Sequence, residues 1–150
     1  DIPHIYRSDD AGQSWTLKCT GTTSFTGSSA FPLGMSNGQG YYDFAIAVNP
    51  NNADQLIVAT TSAYRSLNGA TSFNPIGGYV GGYRIHPDIQ DIAVGGTDTW
   101  IATDGGISYS SDFFSSNANF STRINGLYGS DFWRFTQGWN DSANSKREFI

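Results

Sequence analysis

Apolar and polar positions alternate along this chain or gather in short apolar blocks, and each block ends at Gly, Pro, Asn or Asp. That rhythm predicts short strands and tight turns, with no stretch of helical period. Ile5-Tyr6 close one strand, and Ser14-Trp15 begin its return. Residues 42–48 read as a strand, Asn49-Pro50-Asn51-Asn52-Ala53-Asp54 as a turn of breaker residues, and residues 55–60 as an apolar strand buried on both faces if central. Residues 63–67 and 73–76 supply a third and a fourth strand. The next stretch repeats the plan: residues 89–94, a Gly95-Gly96-Thr97-Asp98 turn, then residues 99–103, 106–111 and 120–124. A further strand runs over 132–138, and residues 147–150 open another. The expectation is an all-β chain.

The turn between the first two strands carries the most specific pattern, Ser8-Asp9-Asp10-Ala11-Gly12-Gln13-Ser14-Trp15. Asp10 can bond turn amides through its carboxylate, Gly12 takes the positive φ that a side chain resists, and Ser8 and Ser14 tie the strand ends. Trp15 is expected as a large apolar plug. A second copy keeps Tyr64-Arg65-Ser66, puts Asn68 for Asp and Ala70 for Gly, and closes on Ser72-Phe73. A third runs from Ser108-Tyr109-Ser110-Ser111-Asp112 through Phe113-Phe114 and closes at Asn119-Phe120-Ser121 after a short insertion. Tyr6, Tyr64 and Tyr109 read as equivalent, spaced within or just above the about 40–50 residues of a propeller-type repeat.

The spacing Ser-x-Asp-x-Gly-x-Ser-Trp resembles the Asp-box, a repeat of β-propellers that include sialidases, xyloglucanase-type glycoside hydrolases and sortilin-type receptors. Residues 49–60 are similar to the Asn-Pro turn and strand of sortilin-like and xyloglucanase-like repeats. His86-Pro87-Asp88-Ile89-Gln90-Asp91-Ile92-Ala93 and residues 101–107 are similar to repeats of large secreted bacterial proteins of this group. The resemblance implies blades of four antiparallel strands: residues 1–30 as the end of one blade and a connector, 40–76 as a second, 88–124 as a third and 131–150 as the start of a fourth. About three blades do not close a ring, so an incomplete section of a larger propeller is expected, with the remaining blades from the same longer chain or another chain. The resemblance also implies that Ser8, Asp10, Gly12, Ser14, Trp15, Ser66, Asn68, Ser72 and Phe73 are structural, stapling hairpins away from any ligand.

Composition narrows the partners. The net charge of −5 and pI near 4.6 argue against nucleic acid, which needs a basic patch. Only two Lys and one Glu are present, so solubility rests on Asn, Ser, Thr and Gly, as in many secreted β proteins. The single Cys19 excludes an internal disulfide framework and reads as a buried apolar residue. No apolar run approaches a membrane helix. The lack of a signal peptide fits a processed or excised segment, expected outside the cell or at its surface.

Candidate chemistry lies in the loops between blades, at residues 20–41, 77–88 and 125–131. The second offers Tyr79, Tyr83 and Arg84 as contact surface among glycines, against the alternative of a connector whose tyrosines pack on neighbouring blades. Asp104 is placed to bind a sugar hydroxyl or a cation beside His86 and Asp88, although Asp104-Gly105-Gly106 is also a plain hairpin signal. Gln90 stands where a second His would complete His-x-Asp-x-His, so no metal or cofactor is expected. Asp43 and Asp91, at the starts of successive innermost strands, form the one carboxylate pair to record for glycoside hydrolysis. The arginines and Tyr/Glu pair of a sialidase do not map onto this chain, since Arg7 and Arg65 precede the turns and the only Glu is Glu148. Asn119-Phe120-Ser121 and Asn140-Asp141-Ser142 fit the N-glycosylation triplet, and Asp141-Ser142-Ala143 a bacterial O-glycosylation motif. The reading is a binding or scaffold module for a protein or glycan. The alternative is a glycoside hydrolase fragment with catalytic residues partly outside the segment.

Overall fold

The computed structural model describes residues 4–20 and 39–127, together with the backbone of two later strands, Thr136–Gly138 and Arg147–Phe149. Among the described residues every regular element apart from one 3-10 turn at Asn117–Asn119 is a strand. In chain order these are β1 (Ile5–Arg7), β2 (Thr16–Cys19), β3 (Ala45–Asn49), β4 (Asn52–Ala59), β5 (Ala63–Ser66), β6 (Asn74–Gly77), β7 (Ile89–Gly95), β8 (Asp98–Thr103), β9 (Gly106–Ser110), β10 (Phe120–Thr122), β11 (Thr136–Gly138) and β12 (Arg147–Phe149). They form two antiparallel meanders, β3-β4-β5-β6 and β7-β8-β9-β10, and two antiparallel pairs, β1-β2 and β11-β12. The sequence reading of residues 139–146, Asn140 and Asp141 included, falls outside the described residues.

Burial explains the strand order. The second half of β4, Leu56 to Ala59, is buried on both faces, as a strand between two others must be. β3 instead alternates, with Ala45 buried and Ala47 half-buried while Ile46 and Val48 stay about half exposed. Its small residues face β7, and the short side chains let the two strands approach across the sheet-to-sheet space. Ala45, Ile57, Ala59, Ile76, Ile85, Ile89, Ile92 and Ile101 form one core there with Phe113 and Phe114. A second core joins Ile5 of β1 to Leu56, Val58, Tyr64, Ala70 and Phe73. Each four-stranded sheet thus packs one face on its neighbour.

Three strand ends differ from the sequence expectation, the first being β4, which starts at Asn52 inside the expected 49–54 turn because Asn52 already pairs with Asn49 of β3. Residues 42–44 precede β3, because the amides of Tyr42 and Asp43 both donate to the Gln39 carbonyl and close a turn over residues 40–42. The last strand stops at Thr122, although the Arg123 amide still bonds the Ile107 carbonyl, and the chain then turns at Ile124–Leu127. The connection from β6 to β7 is tight where it leaves the sheet. Gly81 has φ +100°, and a Cβ there would lie 2.4 Å from the Ile76 carbonyl carbon, so only glycine fits.

Candidate functional site

Three turns share one hydrogen-bond pattern. In the first, the Ser8 hydroxyl donates to Asp10 Oδ1 (2.8 Å) and accepts the amides of Asp10 (3.3 Å) and Gly12 (2.7 Å). Asp10 then accepts the Ser14 amide (2.8 Å) and hydroxyl (2.6 Å). In the second, Ser66 bonds Asn68 and the Ala70 amide, while the Asn68 side chain accepts the Ser72 amide and donates to the Ser72 hydroxyl. In the third, Ser110 bonds Asp112 and accepts the Phe114 amide (2.9 Å), and Asp112 accepts the Ser115 amide and the Asn119 side-chain N–H. The two residues after the Asp or Asn are left-handed each time: Ala11 and Gly12, Gly69 and Ala70, Phe113 and Phe114. Hydrogen bonds from the Ser14 hydroxyl, the Ser14 amide and the Ser8 hydroxyl favour the ionised form and bring Asp10 down to about 2. Burial pushes Asp112 up, but the bonds from Asn119, Ser110 and Ser115 outweigh it and hold the group below its ordinary value.

This geometry corrects two expectations. Ser110 superposes in role on Ser8 and Ser66, so the residue equivalent to Tyr6 and Tyr64 is Ser108, and Tyr109 takes the place of Arg7 and Arg65. Trp15 is not a plug: it is 63% exposed, whereas Phe73 in the second turn is 2% exposed. Phe73 sinks into the core between its own sheet and β1, and Trp15 has no such sheet beneath it among the described residues.

The arginine before each of the first two serines reaches forward to the next sheet. Arg7 Nη1 bonds Asp54 Oδ1 (2.8 Å) at the start of β4, with Nε on Asp9 (2.7 Å). Arg65 Nη1 bonds the carbonyls of Phe113 and Phe114 in the third turn. Each turn is in turn tied to the first hairpin of its own sheet, Gly69 amide to Asp54 carbonyl (2.8 Å) and Phe113 amide to Thr97 carbonyl (2.9 Å). Arg7 and Arg65 are therefore sheet-to-sheet latches.

At the opposite ends of β3 and β7 the side chains gather differently. Asp43 is fully buried, and Gln90 Nε2 donates both to its Oδ1 (2.9 Å) and to Asp104 Oδ1 (2.9 Å). Asp88, held at φ +61°, donates its amide to the Thr61 carbonyl (3.2 Å) and accepts the Asp104 amide (3.3 Å). Burial pushes the Asp43 carboxyl above its usual value, and the charges of Asp88 and Asp104 act in the same sense, against the Gln90 bond. Asp43 Oδ2, Asp88 Oδ1 and Thr60 Oγ1 are buried without a hydrogen-bond partner among the described residues. Three candidate residues, Asp43, Asp88 and Asp104, are thus brought together. Asp91 is not among them: it is exposed, and its carboxylate accepts the Ile92 amide (2.8 Å). The sequence marked Gln90 only as the place of a missing second His, not as the link between the carboxylates, and Thr60 went unnoticed, since a lone Thr in a strand carries no signal.

His86 flanks the cluster. Its ring lies so close to Gly105 that a Cβ there would sit 2.4 Å from His86 Cγ, and its Nδ1 is 2.9 Å from the Pro87 carbonyl oxygen. A hollow of about 410 Å³ opens beside it, lined by Arg84, His86, Pro87, Thr103, Gly105 and Ile124 among others. The two loop tyrosines part company. Tyr79 is 67% exposed, while Tyr83 donates to the Phe114 carbonyl (2.7 Å) and packs edge-on against Phe114 and Phe120. Tyr83 is spent on packing, the alternative weighed for this loop. No group of three His, Cys, Asp or Glu side chains among the described residues is arranged to hold a metal ion. What the cluster offers is a set of oxygen acceptors short of donors, next along the chain to a hollow lined by Arg84 and His86. Comparisons with protein-family models, curated proteins and solved structures return no match for this chain.

Proposed function

We propose that this chain is a section of an Asp-box β-propeller, resembling those of sortilin-like and xyloglucanase-like secreted proteins, and that it serves as an extracellular binding or scaffold module for a protein or glycan. The three turns of common geometry and the two arginine latches support the repeat reading. The observation that carries the function is the acceptor-rich cluster of Asp43, Asp88, Gln90 and Asp104, where two buried carboxylate oxygens lack donors. The exposed Asp104 carboxylate is the part of the cluster open to hydroxyl or amide donors of a ligand. Arg84 and His86, lining the adjoining hollow, add charge and shape. The net charge of −5 disfavours nucleic acid as the partner. Among the described residues no helix is long and apolar enough to cross a membrane.

The test is calorimetric titration against a panel of neutral oligosaccharides and extended peptides. Asp104→Asn, on the exposed side of the cluster, is expected to weaken a binder about tenfold, the worth of one hydrogen bond of roughly 1.4 kcal/mol. Binding that ignores Asp104→Asn and Arg84→Ala would place the function elsewhere.

One observation favours a second reading, a glycoside hydrolase fragment. A buried carboxyl that holds its proton more tightly than usual, as burial makes Asp43 do, suits a general acid. Its partner carboxylate would then stand about 5–9.5 Å away, and Asp43→Ala would abolish hydrolysis of a glycan that the protein otherwise cleaves.

A further inference from the structure

The fold treats two Asn-Gly pairs in opposite ways. In this dipeptide the glycine nitrogen readily attacks the side-chain amide before it, because no Cβ shields that nitrogen. Asn68-Gly69 and Asn125-Gly126 match as dipeptides, and each follows a bulky apolar residue, Leu67 or Ile124. Flanking chemistry therefore does not separate them. Structure does. At the first pair every reacting group is engaged. Asn68 Oδ1 accepts the Ser72 amide (2.9 Å) and the Ser66 hydroxyl (3.1 Å), and Nδ2 donates to the Ser72 hydroxyl (2.9 Å). The attacking nitrogen is held too, for the Gly69 amide donates to the Asp54 carbonyl (2.8 Å). Gly69 is buried, and Asp54 Oδ1 lies 3.2 Å from the place a Gly69 Cβ would take.

The second pair is open. Asn125 and Gly126 are both exposed, and nothing lies within 4 Å of the place a Gly126 Cβ would take. Among the described residues neither the Asn125 side chain nor the Gly126 amide makes a hydrogen bond. The turn is closed outside the reacting groups, by the Leu127 amide on the Ile124 carbonyl (3.0 Å). We propose that Asn125 is a site of spontaneous deamidation in the folded protein, and that the Ser66–Asn68–Ser72 turn protects Asn68 from the same reaction. The Gly126 nitrogen forms a bond to Asn125 Cγ and gives up its proton. The Cγ–Nδ2 bond breaks, and ammonia leaves with that proton. Water then opens the cyclic imide at either carbonyl and leaves Asp or isoaspartate at position 125. No oxidant, reductant or cofactor takes part. Conversion adds a negative charge next to Ile124, which lines the hollow beside Arg84 and His86. The isoaspartate form also routes the main chain through the side-chain carbon and so lengthens the turn. None of this depends on the propeller reading, since only the two turns take part.

The test is incubation of the intact 150-residue chain in mildly alkaline buffer, with peptide mapping by mass spectrometry and separation of the Asp and isoaspartate forms. Position 125 is expected to convert at least about tenfold faster than position 68, because reaction at Asn68 first requires several hydrogen bonds to open. The same incubation in urea removes the fold, and the two rates should then converge. Ser66→Ala with Ser72→Ala should speed conversion at Asn68 and leave Asn125 unchanged. Equal rates in the folded protein, or a faster Asn68, would overturn the proposal. So would an Asn125 that converts in urea and stays intact in the folded protein. A rate difference that persists in urea would overturn it as well, since sequence and not fold would then set the rates. A double variant with unchanged β-sheet circular dichroism and no gain in rate at Asn68 would remove the protective role of the turn.

Discussion

At the scale of single residues, two positions set opposing effects against each other. Phe113 and Phe114 both hold φ near +57°, a conformation that costs a side-chain-bearing residue about 1–2 kcal/mol. Glycine would relieve that strain, and the first two turns do place glycine within the corresponding pair. Yet Phe114 is fully buried in the main core, and truncating a buried Phe costs about 3–5 kcal/mol. Burial wins, and Phe114→Gly is expected to destabilise the protein by about 2–3 kcal/mol in urea melts. Asp43 is the reverse case, since its burial disfavours the native state. A carboxyl whose pKa is raised on folding binds its proton more tightly in the native state, so stability falls as pH rises above the ordinary value of 3.8. Asp43→Asn keeps an acceptor for Gln90 and brings an N–H to the donor-poor cluster. It should stabilise the fold by about 1 kcal/mol or more at pH 7, and the gain should fade near pH 4. A melting series that shows no gain at pH 7 would mean that the carboxylate is satisfied in solution.

At the scale of the elements, the latches differ in worth although they look alike. Arg7 pairs with Asp54 in the open, with side chains 33% and 61% exposed, where solvent screening leaves such a pair little net worth. Arg65 reaches carbonyls of the buried Phe113–Phe114 turn, where a charged hydrogen bond is worth about 1.5–3 kcal/mol. Arg65→Ala should therefore lower stability by roughly 2 kcal/mol with little salt dependence, and Arg7→Ala by clearly less, with the loss smaller still at high salt. Equal losses would contradict the difference in burial. The elements themselves were legible because period-two alternation and Gly/Asn/Asp breaks are local signals: residues 63–67 and 89–94 emerge as strands within a residue or so, while β4 starts three residues before the expected 55, inside the stretch read as a turn. The third turn was harder to read, for no sequence rule assigns left-handed backbone to a Phe-Phe pair, and the Tyr109 alignment slipped by one residue for that reason. The exposure of Trp15 was hidden because it depends on which sheet lies beneath the hairpin. The link of Asp43 through Gln90 to Asp104 depends on β3 lying beside β7, a contact between residues 47 and 14 positions apart from Gln90.

At the scale of the whole molecule, the three turns provide an internal comparison for acid sensitivity. The first and third are held by Asp10 and Asp112, both depressed on folding, whereas the second is held by the neutral Asn68. A carboxyl depressed on folding stabilises above its ordinary value, and that contribution is lost as pH falls through the folded-state value, about 2 for Asp10. Acidification from pH 5 to pH 2 should thus loosen the first and third turns and spare the second. The amides to watch are Ser14 and Ser115, which donate to carboxylates, and Ser72, which donates to an amide oxygen. Protection factors of Ser14 and Ser115 should fall over that window, once corrected for intrinsic exchange, and that of Ser72 should hold. Asp43 works in the opposite sense, gaining its proton in the same acid range and relieving the cluster at the other end of β3. The molecule is therefore expected to fray at its first and third turns in acid while the β3–β7 core between them stays closed. A single cooperative loss of protection at all three serines would show instead that the turns have no stability of their own and simply report the unfolding of the sheets.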